Sequence, residues 1–234
     1  MMLQKEGSLK KASLCGYLAC LLFTATYACG DAQDSSLAEA LKTSYEAEAN
    51  GDYQAAIKPL TALGASVGSS YFAQVRLGWL NYCAKDWPQS IAYYGKASKL
   101  TPFAIEPLLG LMLAQQAAGK NDDALRTAQV ALRQDPCNYT ALSHTAWLLY
   151  LKRDFRQAAF VYHKLVNLYP TDTEMLLGLG FSLKFAGDKK ESVQYFNAVL
   201  LLSPGNARAL EGLRADIGKQ SGDRPEPPQP RQRP

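Results

Sequence analysis

Histidine is scarce in this chain, and so are the residue groupings that support catalysis. Only two histidines, His144 and His163, occur among 234 residues. The sequence also lacks a GxSxG nucleophile motif, an HExxH zinc motif and a phosphate-binding P-loop. Because catalysis needs a convergent set of acid, base or nucleophile side chains, the sequence predicts a protein that is not an enzyme and uses no cofactor.

An excess of charge is missing from the body of the chain. Of 25 basic and 21 acidic residues, three basic and one acidic lie in residues 1–28, and four basic and two acidic lie in residues 219–234. The remaining 18 basic and 18 acidic residues cancel. A neutral body lacks the positive surface of a nucleic-acid binder, while 47% hydrophobic residues suit a packed globular chain.

A long uncharged run occurs at the N-terminus. Lys10 and Lys11 precede the run from Ala12 to Gly30, whose centre is apolar. This pattern predicts a secretory signal peptide over residues 1–32, and hence export to the periplasm or cell envelope. The run is also long enough to remain as a membrane anchor. Cys29 follows Ala28 as in a bacterial lipobox, which makes it a lipidation candidate; cleavage after Ala32 is the competing prediction.

The body of the chain repeats every 34 residues. A small residue closes five similar turns at positions 34 apart: Ala56, Ser90, Ala124, Ala158 and Ser192. Prolines recur at the same interval, at Pro102, Pro136, Pro170 and Pro204, with Gly68 in that place in the first repeat. Each repeat therefore predicts two helices, such as 71–84 and 88–101, with the second stopping before the proline.

These motifs resemble the tetratricopeptide repeat (TPR) family, whose 34-residue pattern is W-x2-L-G-x2-Y, A-x3-F, P. Leu77-Gly78, Ser90, Tyr94 and Pro102 match in the second repeat, and Leu179-Gly180, Ser192, Phe196 and Pro204 in the fifth. The first helices of repeats one, three and four depart from Leu-Gly. The resemblance implies an all-α, right-handed superhelical solenoid over residues 37–219, with repeats 37–70, 71–104, 105–138, 139–172 and 173–206 and a capping helix 207–219.

The same register separates the two cysteines of the body. Cys83 ends a first helix, whereas Cys137 precedes one. A helix of this length extends about 20 Å, and a disulfide needs Cα atoms within about 7 Å. The cysteine spacing contains no CxxC pair and so predicts no metal site. We therefore expect both thiols to be unpaired.

The resemblance also implies a concave groove lined by the first helices. The residues at the implied groove positions include many rings and a few polar groups: Tyr45, Phe72, Arg76, Trp79, Tyr82, His144, Trp147, Tyr150, Phe181, Lys184 and Phe185. Aromatic and Arg residues dominate binding hot spots, but the same rings could be packing between repeats. Of the positions that hold Lys and Asn in the carboxylate-clamp members of the family, only Arg76 has suitable chemistry, which disfavours a clamp.

The resulting hypothesis is an exported scaffold that binds a protein or peptide segment in this groove. Envelope members of the family often serve the assembly of pili, secretion pores or outer-membrane machines. Two alternatives stay open: a membrane-tethered protein that self-associates, and a groove for carbohydrate or another small molecule. Residues 220–234 are Pro-rich and predict a disordered tail with polyproline II character. Its Arg224-x-x-Pro227-x-x-Pro230 pattern matches an SH3 ligand at the level expected by chance.

Overall fold

A computed structural model describes residues 35–214. The predicted signal peptide, Cys29 and the Pro-rich tail therefore lie outside the described residues. Within residues 35–214 every regular element is an α-helix. The helices are α1 (35–49), α2 (Tyr53–Thr61), α3 (Ala65–Ser69), α4 (Tyr71–Cys83), α5 (Trp87–Leu100), α6 (Glu106–Ala117), α7 (Asn121–Gln134), α8 (Tyr139–Leu151), α9 (Phe155–Leu168), α10 (Thr173–Ala186), α11 (Lys189–Leu202) and α12 (Ala207–Leu213). The predicted all-α fold is confirmed.

Helix starts follow the 34-residue register because a capping side chain recurs there. Four first helices are preceded by Ser70, Asn138, Asp172 or Asn206, and each of these side chains accepts a backbone N–H from the first turn. Such caps satisfy N–H groups that have no partner within the helix. Between the two helices of each repeat, the chain turns through a residue with positive φ, again at intervals of 34: Gly51, Lys85, Gly119, Arg153 and Gly187.

The chain divides into two compact bodies between Asp86 and Trp87. In the N-terminal body, α2 packs against α4 and buries Ala56 and Leu60 completely. The sequence predicts that the second helix of this repeat stops at Gly68, and this prediction is wrong. The helix already ends at Thr61, after the internal Pro59, and the short α3 begins beyond Gly64, whose φ is +58°. A proline inside a helix removes one backbone hydrogen bond and favours such a break.

In the C-terminal body, an aromatic ring of one repeat packs against a glycine of the following repeat at several places. The ring of Tyr162 on α9 lies so close to Gly178 on α10 that an added Cβ would sit 2.4 Å from a ring carbon. Tyr94 lies in the same way over Gly110 on α6, and Phe196 over Gly212 on α12. Because the glycines let helices approach closely, the rings of Tyr162 and Phe196 are fully buried.

The capping helix is shorter than the sequence predicts. It begins at Ala207 as expected but ends at Leu213, since Arg214 has an extended backbone conformation. The Lys184 ammonium of α10 donates hydrogen bonds to the carbonyls of Gly212 (2.9 Å) and Arg214 (3.0 Å). A cation there satisfies carbonyls at the helix C-terminus and interacts favourably with the helix dipole.

Candidate partner-binding face

The implied groove residues fall into an exposed group and a buried group. In the N-terminal body, Phe72 is 72% exposed, Tyr45 57% and Trp79 40%. In the C-terminal body, by contrast, Phe181 is 1% exposed and His144 4%. Exposed rings are available to a partner, whereas buried rings are held by their own fold. We therefore describe the two groups separately.

The exposed group is positioned by the register of α4. Ser70 caps this helix, with its hydroxyl accepting the N–H of Ala73 at 3.3 Å. Phe72, Arg76 and Trp79 then follow at spacings of four and three residues, which places them on one side of the helix. Tyr45 of α1 lies beside these residues, because its ring stacks on the Arg76 guanidinium, which is 3.8 Å from the ring centroid.

Arg76 is buried, and all three of its guanidinium nitrogens bind residues of α1. Its Nε donates to the Ser44 hydroxyl at 3.2 Å, and one terminal nitrogen donates to the Ser44 carbonyl at 3.2 Å. The other terminal nitrogen forms an ion pair with Glu48. A buried arginine is tolerated only with such partners. This network fixes α1 against α4 and holds the Tyr45 ring in place.

Glu48 also fixes the indole of Trp79. The Trp79 Nε1–H donates to the second carboxylate oxygen of Glu48 at 2.6 Å. The indole lies near-parallel to the Tyr82 ring, with 6.1 Å between centroids and 17° between planes. We call Tyr45, Phe72, Trp79 and Tyr82 the aromatic face. The sequence prediction included these rings and Arg76 but not Ser44 or Glu48. The available signal was the register, since Glu48 lies 34 residues before Tyr82 and so holds an equivalent groove position.

The thiol beside this network is not activated. Cys83 is a free, half-buried cysteine at the end of α4. Burial raises its pKa, the Glu48 carboxylate raises it further, and the Arg76 guanidinium opposes both effects. A thiol with a raised pKa stays protonated and is a poor nucleophile. Cys137 is likewise free, and it is exposed.

In the C-terminal body, His144 is built into the junction of α6 and α8. Its Nδ1 lies 2.7 Å from Gln116 Oε1, while Nε2 is buried and has no hydrogen-bond partner among residues 35–214. Burial lowers the pKa of His144 to about 4, so the imidazole is neutral at physiological pH. Trp147 Nε1 on the same helix is also buried and has no partner within the described range.

The other predicted groove rings of this body, Tyr150, Phe181 and Phe185, pack against neighbouring rings. Tyr150 meets Phe155 at 5.2 Å between centroids, Phe155 meets Phe185 at 5.3 Å, and Phe181 meets Phe196 at 4.9 Å. Edge-to-face and offset pairs at these distances stabilise a core. The Lys184 ammonium is hydrogen-bonded to the carbonyls at the end of α12. A binding role for the predicted residues of this body stays a prediction.

No group of three or more His, Cys, Asp or Glu side chains in residues 35–214 is arranged to hold a metal ion. Over the same range, no helix combines the length and the apolar character needed to cross a bilayer.

Known proteins resemble this chain in repeat pattern and in fold. The family model for the tetratricopeptide repeat matches residues 140–172. A curated relative, Protein CTR9 homolog of Arabidopsis thaliana, is 28% identical over 122 residues. That match covers 52% of this chain and 11% of the relative, so the chain spans only about a tenth of the relative's length.

Solved structures match most of the chain. The crystal structure of MamA protein has a TM-score of 0.68 and 16% identity, covering 75% of this chain and 96% of that one. A tetratricopeptide repeat protein from Parabacteroides merdae also scores 0.68, at 20% identity over 76% of this chain and 71% of its own. YrrB, described as a TPR protein with an unusual peptide-binding site, scores 0.66 at 11% identity, with coverage of 80% and 95%. Residues 140–172 thus match a tetratricopeptide repeat, and the paired helices in their 34-residue register give residues 35–214 the fold of tetratricopeptide repeat proteins.

Proposed function

We propose that the protein is a non-catalytic scaffold that binds a segment of another protein on the aromatic face. The observation that supports this most is the exposure of three rings, Tyr45, Phe72 and Trp79, beside a buried ion pair between Arg76 and Glu48. Tyr, Trp and Arg are the residues most enriched in binding hot spots. The fold class supports the coarser statement, since TPR arrays commonly present such surfaces.

The face is preorganised for binding. Glu48 holds the Trp79 indole by a hydrogen bond, and Arg76 holds the Tyr45 ring by stacking. Ordering a free side chain at an interface costs about 0.5–1.5 kcal/mol. Because this ordering is already present in the free protein, a partner that covers these two rings gains contact area at a low entropic cost.

The proposal includes export. The sequence of residues 1–32 supports delivery to the periplasm or cell envelope, with Cys29 as the acylated residue or with cleavage after Ala32. In that compartment the scaffold would serve the assembly of an envelope machine. The intact mass of the purified chain tests this part. An acylated chain beginning at Cys29 or a chain beginning at Gln33 supports export. An unprocessed chain contradicts both cleavage sites and means that the N-terminal segment is retained as a membrane anchor.

Partner capture tests the binding face. Crosslinked affinity capture from the native cells is compared between the wild-type chain, Trp79→Ala and Phe160→Ala. Phe160 is the matched control, since it is 65% exposed on α9 in the other body. We expect the captured partner to be lost with Trp79→Ala and kept with Phe160→Ala, with melting temperatures close to wild type in both.

Two results would contradict the proposal. A partner set unchanged by both substitutions, and also by Tyr45→Ala, would mean that the exposed rings do not contact a partner. Equal loss in both variants would point to general surface hydrophobicity and not to a defined face.

A further inference from the structure

The side-chain donors under the aromatic face are already used within the protein. Arg76 donates to Ser44 and pairs with Glu48, and the Trp79 indole N–H donates to Glu48. Apart from tyrosine hydroxyls, what the face offers a ligand is therefore mainly ring surface: Tyr45, Phe72 and Trp79. A ligand suited to it must gain from apolar contact without relying on hydrogen bonds from these side chains.

A proline-rich segment meets that requirement better than an added strand. Proline has no backbone N–H, and a polyproline II backbone keeps its carbonyls in solvent. Its pyrrolidine rings are compact and apolar and its backbone is conformationally restricted, so docking them on aromatic side chains costs little entropy. An added strand, in contrast, needs a free sheet edge, and residues 35–214 contain no strand.

The chain itself carries a segment of this kind. Residues 221–234 contain five prolines and three arginines against one aspartate and one glutamate. Helix α1, which contributes Tyr45, carries two acidic residues besides the Glu48 that is paired with Arg76, namely Glu39 and Glu46, against a single Lys42. Glu39 and Glu46 are exposed. The proline-rich segment and helix α1 are thus opposite in charge, and the prolines of the segment suit the aromatic rings of the face.

We propose that the aromatic face of one molecule binds the proline-rich segment 221–234 of a second copy. The inference rests on the proposed function, because it names the occupant of that same face. Prolines of the segment pack on Tyr45 and Trp79, and its arginines lie toward the acidic side of α1. Contacts of this kind either close into a reciprocal dimer or a ring, or extend into open chains, and in each case the average mass rises with concentration.

Two measurements test the proposal on the full chain. A fluorescent synthetic peptide of residues 221–234 is titrated into dilute protein and followed by anisotropy. We expect saturable binding that weakens about tenfold or more in Trp79→Ala, as for the loss of one hot-spot ring. Binding should be unchanged in Phe160→Ala, and a peptide with all prolines replaced by alanine should not bind.

Sedimentation velocity then follows self-association of the full chain. We expect the average mass to rise with concentration in wild type, and to stay monomeric when Pro225, Pro227, Pro228 and Pro230 are replaced by alanine. The free peptide should dissociate the wild-type oligomer. The proline variant shares the same N-terminal segment as wild type, so association through residues 1–32 would persist in it and be recognised.

The outcomes separate this inference from the proposed function. If the peptide does not bind while Trp79→Ala still loses its cellular partner, the occupant is a different protein and the inference is overturned alone. If association survives the proline substitutions but not Trp79→Ala, a different surface of the second copy covers the face. Binding of the peptide by a chain that stays monomeric at every concentration would also overturn the second-copy arrangement.

Discussion

A histidine is buried in the fourth repeat at a position where the third and fifth repeats have a glycine. His144 holds the register position of Gly110 and Gly178, which lie under the rings of Tyr94 and Tyr162. At the register position of those tyrosines, the third repeat has Ala128 instead. A small residue on one helix thus accompanies a large one on the next, which conserves volume in the core.

The burial of His144 makes stability depend on pH. Its folded-state pKa is about 4, below the value of about 6.5 for an unfolded chain. Between these values the unfolded chain binds the extra proton, so this contribution to the free energy of unfolding is complete above pH 6.5 and declines as pH falls toward 4. At roughly 1.4 kcal/mol per pKa unit, we expect a loss of about 2 kcal/mol between pH 7 and pH 4.5.

Urea unfolding of wild type and His144→Asn at both pH values measures this effect. Carboxylate titration acts equally on both proteins and cancels in the difference. We expect wild type to lose more stability than the variant on acidification. Parallel losses would show that the imidazole is accessible to solvent in the folded state.

At the scale of residues, sequence reasoning identified side chains but not their environments. The 34-residue register placed Tyr45, Trp79 and Phe181 at one equivalent position, yet the first two are exposed and the third is buried. The difference depends on what lies beside each ring: Phe181 is covered by Phe196 and Phe185, whereas Tyr45 is covered on one side by Arg76. A repeat pattern cannot encode contacts that differ between repeats.

At the scale of elements, the ring–glycine contacts set the spacing of successive repeats. An alanine Cβ at Gly178 would lie 2.4 Å from the ring of the fully buried Tyr162, and neither group has room to move. We expect Gly178→Ala to destabilise the protein by about 2 kcal/mol, the cost of overpacking a core. Replacing Tyr162 by leucine in the same chain should recover part of that loss, because it removes the clashing ring.

Gly95→Ala is the matched control in thermal or urea unfolding. Gly95 lies within α5, and a Cβ there would meet nothing within 4 Å. Alanine is the better helix former by about 1 kcal/mol, so this substitution should be neutral or stabilising. A loss of stability in Gly95→Ala equal to that in Gly178→Ala would show that the ring contact is not the cause.

The elements themselves were largely predictable, since their signals are local. The prolines and closing small residues gave the register, and α4 and α5 begin and end within one residue of the predicted 71–84 and 88–101. The first repeat was misjudged because Pro59 and Gly64 act together, breaking its second helix before Gly68. Lys85 and Arg153 adopt the positive φ that glycine takes in the other turns. The turn therefore keeps the same backbone conformation even where its residue is not the glycine that favours it.

At the scale of the whole molecule, the sequence predicted a TPR array and the structure confirms it. The sequence could not show that three of the implied groove rings, Tyr45, Phe72 and Trp79, are exposed in the N-terminal body, whereas Tyr150 and Phe181 are buried in the C-terminal body. Burial there depends on which side chains meet where neighbouring helices pack, such as α9 with α10 and α10 with α11, and the repeat pattern does not specify those side-chain pairs. The candidate site therefore narrowed from a groove implied along the array to one face built by α1 and α4.

In a repeat array, stability is transmitted mainly between neighbouring elements, so a change at one end should have a local effect. Lys184 donates to Gly212 and Arg214 at the end of α12, which is a helix of only seven residues. Replacing Lys184 by methionine keeps the aliphatic stem and removes both hydrogen bonds. Because α12 covers Phe196 through Gly212, its fraying should also loosen α11.

Amide hydrogen exchange measures that fraying element by element. In Lys184→Met we expect exchange in α12 to accelerate about tenfold, corresponding to about 1.4 kcal/mol for two partly solvated charge-assisted bonds, with a smaller change in α11. Exchange in α6 and α7 should not change. Lys190→Met is the control, since Lys190 is exposed on α11. Uniform acceleration across α6 to α12 would mean that the body unfolds as one cooperative unit, and the nearest-neighbour description would fail.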